Sequence, residues 1–322
     1  MKKIALVLCL IMTAGILFAA GGRDQPEAYP TRPVEATVVT AAGGAMDTTA
    51  RRFADIAQRF LGQPMPVVNR PGGGTLPGFS HVLNSRPDGY NLAWTSNGLM
   101  SGYYQGILPF NYDAFRQIAR ISYEPVTLTV RADAPWRTME EFYRHIRQNP
   151  GTIRIGNSGM GTFTHLVAAA IEHEAGAGIV HVPFGTGGLA FASLMGGQID
   201  ASVQLPPEVM AQVEAGQLRM LGVSTGERVQ TLPTIPTFKE SGINVEMILW
   251  RGMGVPIDTP EHIVSKLEDV IRQTVTSPEW IEFCDSMGII PLFMPGREFN
   301  VFLAEEDKLT RDLMTAIGAN TR

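Results

Sequence analysis

Two doubly wound α/β lobes joined by two hinge crossings are predicted by three features of this 322-residue sequence. From Ala36 onward, short β-branched runs alternate with amphipathic stretches, the pattern of β/α layers around a largely parallel sheet. The same strand, glycine loop and helix return after residue 130, so the chain holds two similar halves. It is also longer than the roughly 250–300 residues at which a single core stops growing.

The first segment has its own logic. Met1, Lys2 and Lys3 precede an apolar run from Ile4 to Ala20 and a polar stretch from Gly21 to Pro30, the layout of a secretory leader. Residues 1–21 read as a signal peptide cleaved near Ala20 or Gly21, with periplasmic delivery. Retention as an anchor is the alternative, since a spanning helix needs about 20 apolar residues. No cysteine lies near Gly21, and Cys9 sits inside the apolar run behind Leu8, so lipidation is not expected. Removal of the leader leaves Cys284 alone, which excludes an intrachain disulfide.

The elements follow in order. Ala36–Thr40 is a strand, Ala41–Met46 a small-residue turn, and Asp47 the N-cap of a helix whose Phe53, Ile56, Ala57, Phe60 and Leu61 share one stripe. Pro66–Asn69 and Asn91–Thr95 are strands, with a glycine turn at Arg70–Thr75 and a helix over Gly78–Ser85 between them. In the second half Ile153–Gly156 is a strand, Asn157–Gly161 a loop, and Thr162 opens a helix that runs to Glu174. Strands follow at Ile179–Pro183, Ile199–Val203 and Met220–Ser224, with a small-residue helix at Gly187–Gly196. Pro125–Arg131 and Val245–Val255 are the crossings. Helices over Pro260–Thr276, Pro278–Met287 and Gly296–Ile317 should complete the first lobe. Lobe 1 is thus expected at 30–127 and 250–322, and lobe 2 at 128–249.

Composition narrows the function. A net charge of −5 with no basic run argues against nucleic acid, and no second long apolar stretch exists. Gly185–Ala190 satisfies G-x-G-x-x-A, but no acidic residue stands about 20 positions on, so no dinucleotide cofactor is expected. Gly156-Asn157-Ser158-Gly159 approaches a nucleophile elbow, with Asp200 and His262 in order, yet Met160 replaces the last glycine and no catalytic set results. His165, His173 and His181 fit no metal spacing, so no metal is expected. Gly72–Gly74 lacks the Lys-Ser/Thr of a phosphate loop and reads as a plain turn.

What remains is a pair of loops. Ala41–Met46 and Asn157–Gly161 each join the end of a strand to the first turn of a helix, where backbone N–H groups and the helix dipole favour an anion. Either alone could be a simple cap. Facing each other from two lobes, they suggest a clamp on a small anion.

The motifs AAGGAMDTTAR before and through Arg51, VVNRPGGGTLPG from Val67, PDGYNLAWTSN from Pro87, IGNSGMGTFTHL from Ile155, IVHVPFGTGGLA from Ile179, LMGGQIDAS from Leu194 and WRGMGVPIDTP from Trp250 occur in one order. In that series the chain resembles the substrate-binding proteins of tripartite tricarboxylate transporters, the Bug-type receptors, over essentially its whole mature length. The resemblance implies a type II periplasmic binding protein fold without cofactor, acting as a monomer. It also implies handover of a dicarboxylate, tricarboxylate or aromatic acid to small and large permease subunits. Ligand contacts are implied for Thr40, Ala41, Ala42, Gly43, Gly44 and Asp47 in the first loop, and for Asn157, Ser158, Gly159, Gly161, Thr162 and His165 around the second. Ser96, at the end of its strand, joins them. The family often has Phe where Thr40 stands and Asp where Gln204 stands. Gln204 could donate a hydrogen bond to a ligand where a carboxylate only accepts, which disfavours an ammonium-bearing ligand. Arg251 is a candidate reader of a second carboxylate, an interlobe salt bridge being an equal alternative. A receptor that signals to a sensor kinase would use the same closed lobes, and a hydrolase on this scaffold is the remaining alternative.

Overall fold

The computed structural model describes residues 29–322, and the expected leader lies outside the described residues. Residues Arg32–Arg322 form one compact unit built on two sheets. The first contains β1 (Glu35–Val38), β2 (Val67–Asn69), β3 (Asn91–Ser96), β4 (Phe115–Glu124), β10 (Leu249–Pro256) and β11 (Ile290–Pro295), in the order β11-β4-β10-β3-β1-β2. The second contains β5 (Thr127–Arg131), β6 (Arg154–Asn157), β7 (Val180–Pro183), β8 (Ala201–Gln204) and β9 (Leu218–Val223), in the order β7-β6-β8-β5-β9. These sheets define lobes 1 and 2.

Both sheets are mixed, which corrects the expectation of a largely parallel arrangement. β1 runs parallel to β2 and β3, but β10 is antiparallel to β3 and β4. In lobe 2 β6 is parallel to β7 and β8, whereas β5 is antiparallel to β8 and β9. The reason is topological. The parallel strands bring their carboxyl ends to the cleft, so a strand that enters its lobe from a crossing starts at the cleft and must run away from it. β5 and β10 are those two entering strands, and each occupies the same place in its sheet.

The helices are α1 (Ala45–Leu61), α2 (Leu76–Leu83), α3 (Gly98–Tyr104), α4 (Met139–Gln148), α5 (Phe163–Ala175), α6 (Gly187–Met195), α7 (Met210–Glu214), α8 (Glu261–Val275), α9 (Pro278–Met287) and α10 (Gly296–Ala316). None among the described residues is long and apolar enough to cross a membrane. α1 begins at Ala45 with Gly44 as its N-cap, so Asp47 is not the cap but a residue of the first turn. It stops at Gly62, whose φ of 75° suits a residue without a side chain. The strands β4 and β11 and the helices α3, α4 and α7 have no counterpart in the sequence-based expectation. α4 carried a legible signal, since Thr138 caps it by accepting from the Glu141 N–H at 3.3 Å.

Burial organises each lobe separately. In lobe 1 Phe53 of α1 meets Trp94 of β3 and Trp280 of α9 edge to face, at 5.5 and 5.4 Å between ring centres. Cys284 is buried beside them on α9, and burial pushes its thiol up to about 12. The lobe 2 core gathers Leu128, Val130, Phe142, Ile146, Ile155, Val167 and Ile171. The end of α10 joins this cluster through Leu313 and Met314, so the C-terminal helix packs on lobe 2 as well as on β4.

Candidate functional site

A cavity of about 450 Å³ opens where the two lobes meet. Lobe 1 lines it with Thr40, Thr75, Ser96, Ser101 and Gln105, lobe 2 with Ser158, Met160, Gly161, Thr162, Thr164 and Glu208, and the β10 crossing with Leu249 and Arg251. The walls are rich in hydroxyl groups and poor in charge.

The first loop contributes less than expected. Ala41, Ala42, Gly43 and Gly44 are exposed and do not line the cavity, which here meets Thr40. Asp47 lies buried beneath the loop and organises it. Its carboxylate accepts from the Gly43 N–H at 2.8 Å, from Arg51 Nε at 3.0 Å and from Asn69 Nδ2 at 2.8 Å. Burial opposes its ionisation, but these donors outweigh burial and hold the carboxyl below its usual range. Asn69 also donates to the Thr40 carbonyl at 3.1 Å, fixing the residue that faces the cavity. The Thr40 hydroxyl is buried and has no hydrogen-bond partner among the described residues.

In the second loop most amides are engaged. The Ser158 N–H donates to Thr164 Oγ1 at 3.0 Å, Gly159 N–H to Asn157 Oδ1 at 3.0 Å, and Gly161 N–H to His165 Nδ1 at 2.9 Å. The side chains of Asn157, Thr164 and His165 take up these N–H groups, so the expected row of free amides is not there in this loop. Three remain at the helix start, the N–H groups of Phe163, Thr164 and His165, which donate to no described residue, and the first two belong to residues that line the cavity. Thr162 is the N-cap of α5, with its hydroxyl donating to the Gly159 carbonyl at 2.8 Å. Asn157 and His165 are buried behind the loop and do not reach the cavity. Burial and the neighbouring His181 ring lower His165 to about 4, so it is neutral, and its accepting Nδ1 places the proton on Nε2.

Gln204 does not reach the cavity. It is fully buried, with Nε2 donating to the Gly187 carbonyl at 2.9 Å and Oε1 accepting from Ser202 at 2.6 Å. Ser96 and Arg251 do line it. Arg251 Nε donates to Glu124 Oε1 at 2.8 Å, while its Nη atoms have no hydrogen bond to a described residue.

Thr75, Ser101, Gln105 and Glu208 belong to the cavity although none of them is among the ligand contacts expected from the sequence. Thr75 follows the glycine turn and has φ of 79°, a genuine outlier for a β-branched residue, and its buried hydroxyl is also unpartnered. Glu208 follows the Pro206-Pro207 break at the carboxyl end of β8, the end of a strand where open α/β sheets receive ligands.

Known proteins share this architecture. The profile of the tripartite tricarboxylate transporter family receptor matches residues 49–319. A TctC solute binding protein from Polaromonas superposes with a TM-score of 0.81 at 35% identity, covering 89% of this chain and 99% of that one. A UPF0065 protein of Cupriavidus necator is 30% identical over 94% of this chain and 92% of its own length. Two neighbours share the fold at lower identity. A Rhodopseudomonas palustris protein solved with adipate has a TM-score of 0.77 at 24% identity, covering 90% of this chain and 99% of that one. MatC of the same organism, with bound malate, has 0.73 at 23%, covering 88% and 99%.

Proposed function

Because this chain belongs to the tripartite tricarboxylate transporter receptor family, whose members are solute-binding proteins and not enzymes, we propose that its cleft captures a small organic carboxylate in the periplasm. We further propose delivery of that ligand to the small and large membrane subunits of the transporter. One observation carries the reading. The open N–H groups of Phe163 and Thr164 belong to lobe 2, the unpartnered hydroxyls of Thr40 and Thr75 belong to lobe 1, and all four groups are on residues that border one cavity. Unmet donors at a helix start are suited to a carboxylate, and each such bond to a charged group contributes about 1.5–3 kcal/mol. Micromolar binding needs about −8.2 kcal/mol, and five or six such contacts, about 7.5–18 kcal/mol before the cost of association, are of the size required. Carboxylates held by neighbours of the same fold, adipate and malate, support the ligand class.

A thermal-shift screen of the purified mature chain against mono-, di- and tricarboxylates tests the reading, with mass spectrometry of the recovered ligand. A saturable rise in melting temperature with unchanged ligand is expected. A flat response across the panel, or turnover of the ligand, would overturn it.

A further inference from the structure

Among the described residues, Glu208 is the one acidic side chain that lines the cleft, and no cation pairs with it. Arg251, the one basic residue described on its wall, is already held by Glu124 through Nε, each side chain only 7% exposed, so that pair carries no net charge. Glu208 accepts through Oε2 from the Leu205 N–H at 3.2 Å, whereas Oε1 has no hydrogen bond and the side chain joins no salt bridge among the described residues. Glu208 is exposed to the cleft, yet partial desolvation of its carboxyl raises the pKa against the Leu205 N–H, and Glu124 adds to the rise.

The seat of Glu208 matters as much as its charge. A Cβ on Gly187 would collide with the Glu208 carboxylate, so this glycine leaves room for it over the first residue of α6. A helix start is where an anionic ligand group would otherwise be received. Of the two helix starts on this side of lobe 2, α5 is open, while α6 is covered by the chain's own carboxylate and capped by Thr186, which accepts from the Leu189 N–H at 3.3 Å. One ligand carboxylate therefore has a place at α5, whereas the start of α6 offers none because Glu208 covers it.

We propose that Glu208 makes this cleft select a zwitterion over a dicarboxylate of equal length, the ligand's carboxylate meeting α5 and its ammonium meeting Glu208 Oε1. The proposal rests on the carboxylate reading above and names the ligand class as an amino acid. The contrary expectation drawn from Gln204 loses its basis, because that amide is used inside lobe 2 and does not face the ligand.

Calorimetry on the mature chain tests this with matched ligands: succinate, glutarate and adipate against γ-aminobutyrate, δ-aminovalerate, ε-aminocaproate and α-amino acids of the same lengths. At equal length the best amino ligand should bind at least about tenfold tighter than the dicarboxylate, as expected for one bond to a charged group. Glu208→Gln keeps an acceptor for the Leu205 N–H, and should bring the two classes within about threefold, with the amino ligands losing affinity. Circular dichroism checks that the variant is folded, and the wild-type ranking stands without it. A wild-type preference for dicarboxylates, or a preference unchanged in Glu208→Gln, overturns the role of Glu208 and leaves the carboxylate reading intact. Binding of no carboxylate, with or without an amine, would remove both.

Discussion

Arg251 and Glu124 form a buried ion pair between the neighbouring strands β10 and β4, where both crossings meet the cleft. The pair lies within the lobe 1 sheet beside the hinge and not across the cleft. Removing one partner strands the other charge in a low-dielectric site, which costs about 3–5 kcal/mol. Arg251→Gln should therefore lower stability in urea by about that amount, and Glu124→Gln combined with Arg251→Gln should recover much of it. Single variants that cost under about 1 kcal/mol would show that the pair is solvated.

His165 makes stability depend on pH in a definite direction. It titrates at about 4 in the folded chain, against about 6.5 when unfolded. Between those values the unfolded chain takes up a proton that the folded chain refuses, so stability falls as pH drops through the window, by about 3 kcal/mol in full. His165→Gln removes the titration and should flatten this limb relative to wild type. Urea titrations at about pH 7 and about pH 5 measure it. Parallel curves for the two proteins would contradict it.

Glu306, on α10, acts in the opposite sense. Burial raises it from 4.5 to about 7, with Arg120 opposing and Glu305 and Glu246 adding to the rise. The folded chain holds a proton that the unfolded chain releases between those values, so this group favours folding as pH falls and opposes it above about 7. Glu306→Gln can still accept from Asn97 Nδ2, which donates to it at 3.3 Å. It should stabilise the chain by about 1–3 kcal/mol near pH 8 and by little near pH 5, which melting curves at both pH values would reveal.

Gly161 places lobe 2 against lobe 1. Its φ is 68°, and a Cβ there would collide with the Gln105 amide and lie 3.3 Å from Met314 Cε of α10. Valine adds left-handed strain of about 1–2 kcal/mol and a wedge between the lobes. Contacts available only when both lobes meet the ligand shift the population to the closed form, and a shift from mostly open to mostly closed takes about 5.5 kcal/mol of differential affinity. Gly161→Val should stay folded, bind at least about tenfold more weakly, and no longer compact with ligand in small-angle scattering. A wild-type radius of gyration unchanged by tight binding would put the ligand on one lobe alone.

The positions of elements were largely legible in the sequence, because helical and strand periodicities are local. Phe53, Ile56 and Ala57 mark the buried stripe of α1, and Pro260, Pro278 and Gly296 stand at the starts of α8, α9 and α10, close to the structural bounds. The recurrence of strand, glycine loop and helix already implied two lobes. The motif series pointed to the receptor family, since many ordered motifs are written in residue identity and not in coordinates.

Which side chains meet the ligand was decided only by tertiary structure. Gln204 and Glu208 stand four residues apart, yet one turns into lobe 2 to hold Gly187 and the other faces the cavity. Asp47 looked like a cap and ligand contact, but Asn69 and Arg51 draw it beneath the loop, while Thr75 reaches the cavity through a positive φ that no pattern announces. The partner that neutralises Arg251 lies 127 positions away. Orientation, burial and charge pairing depend on segments distant in the chain, and a one-dimensional pattern carries the tendency of each residue but not the neighbour that uses it.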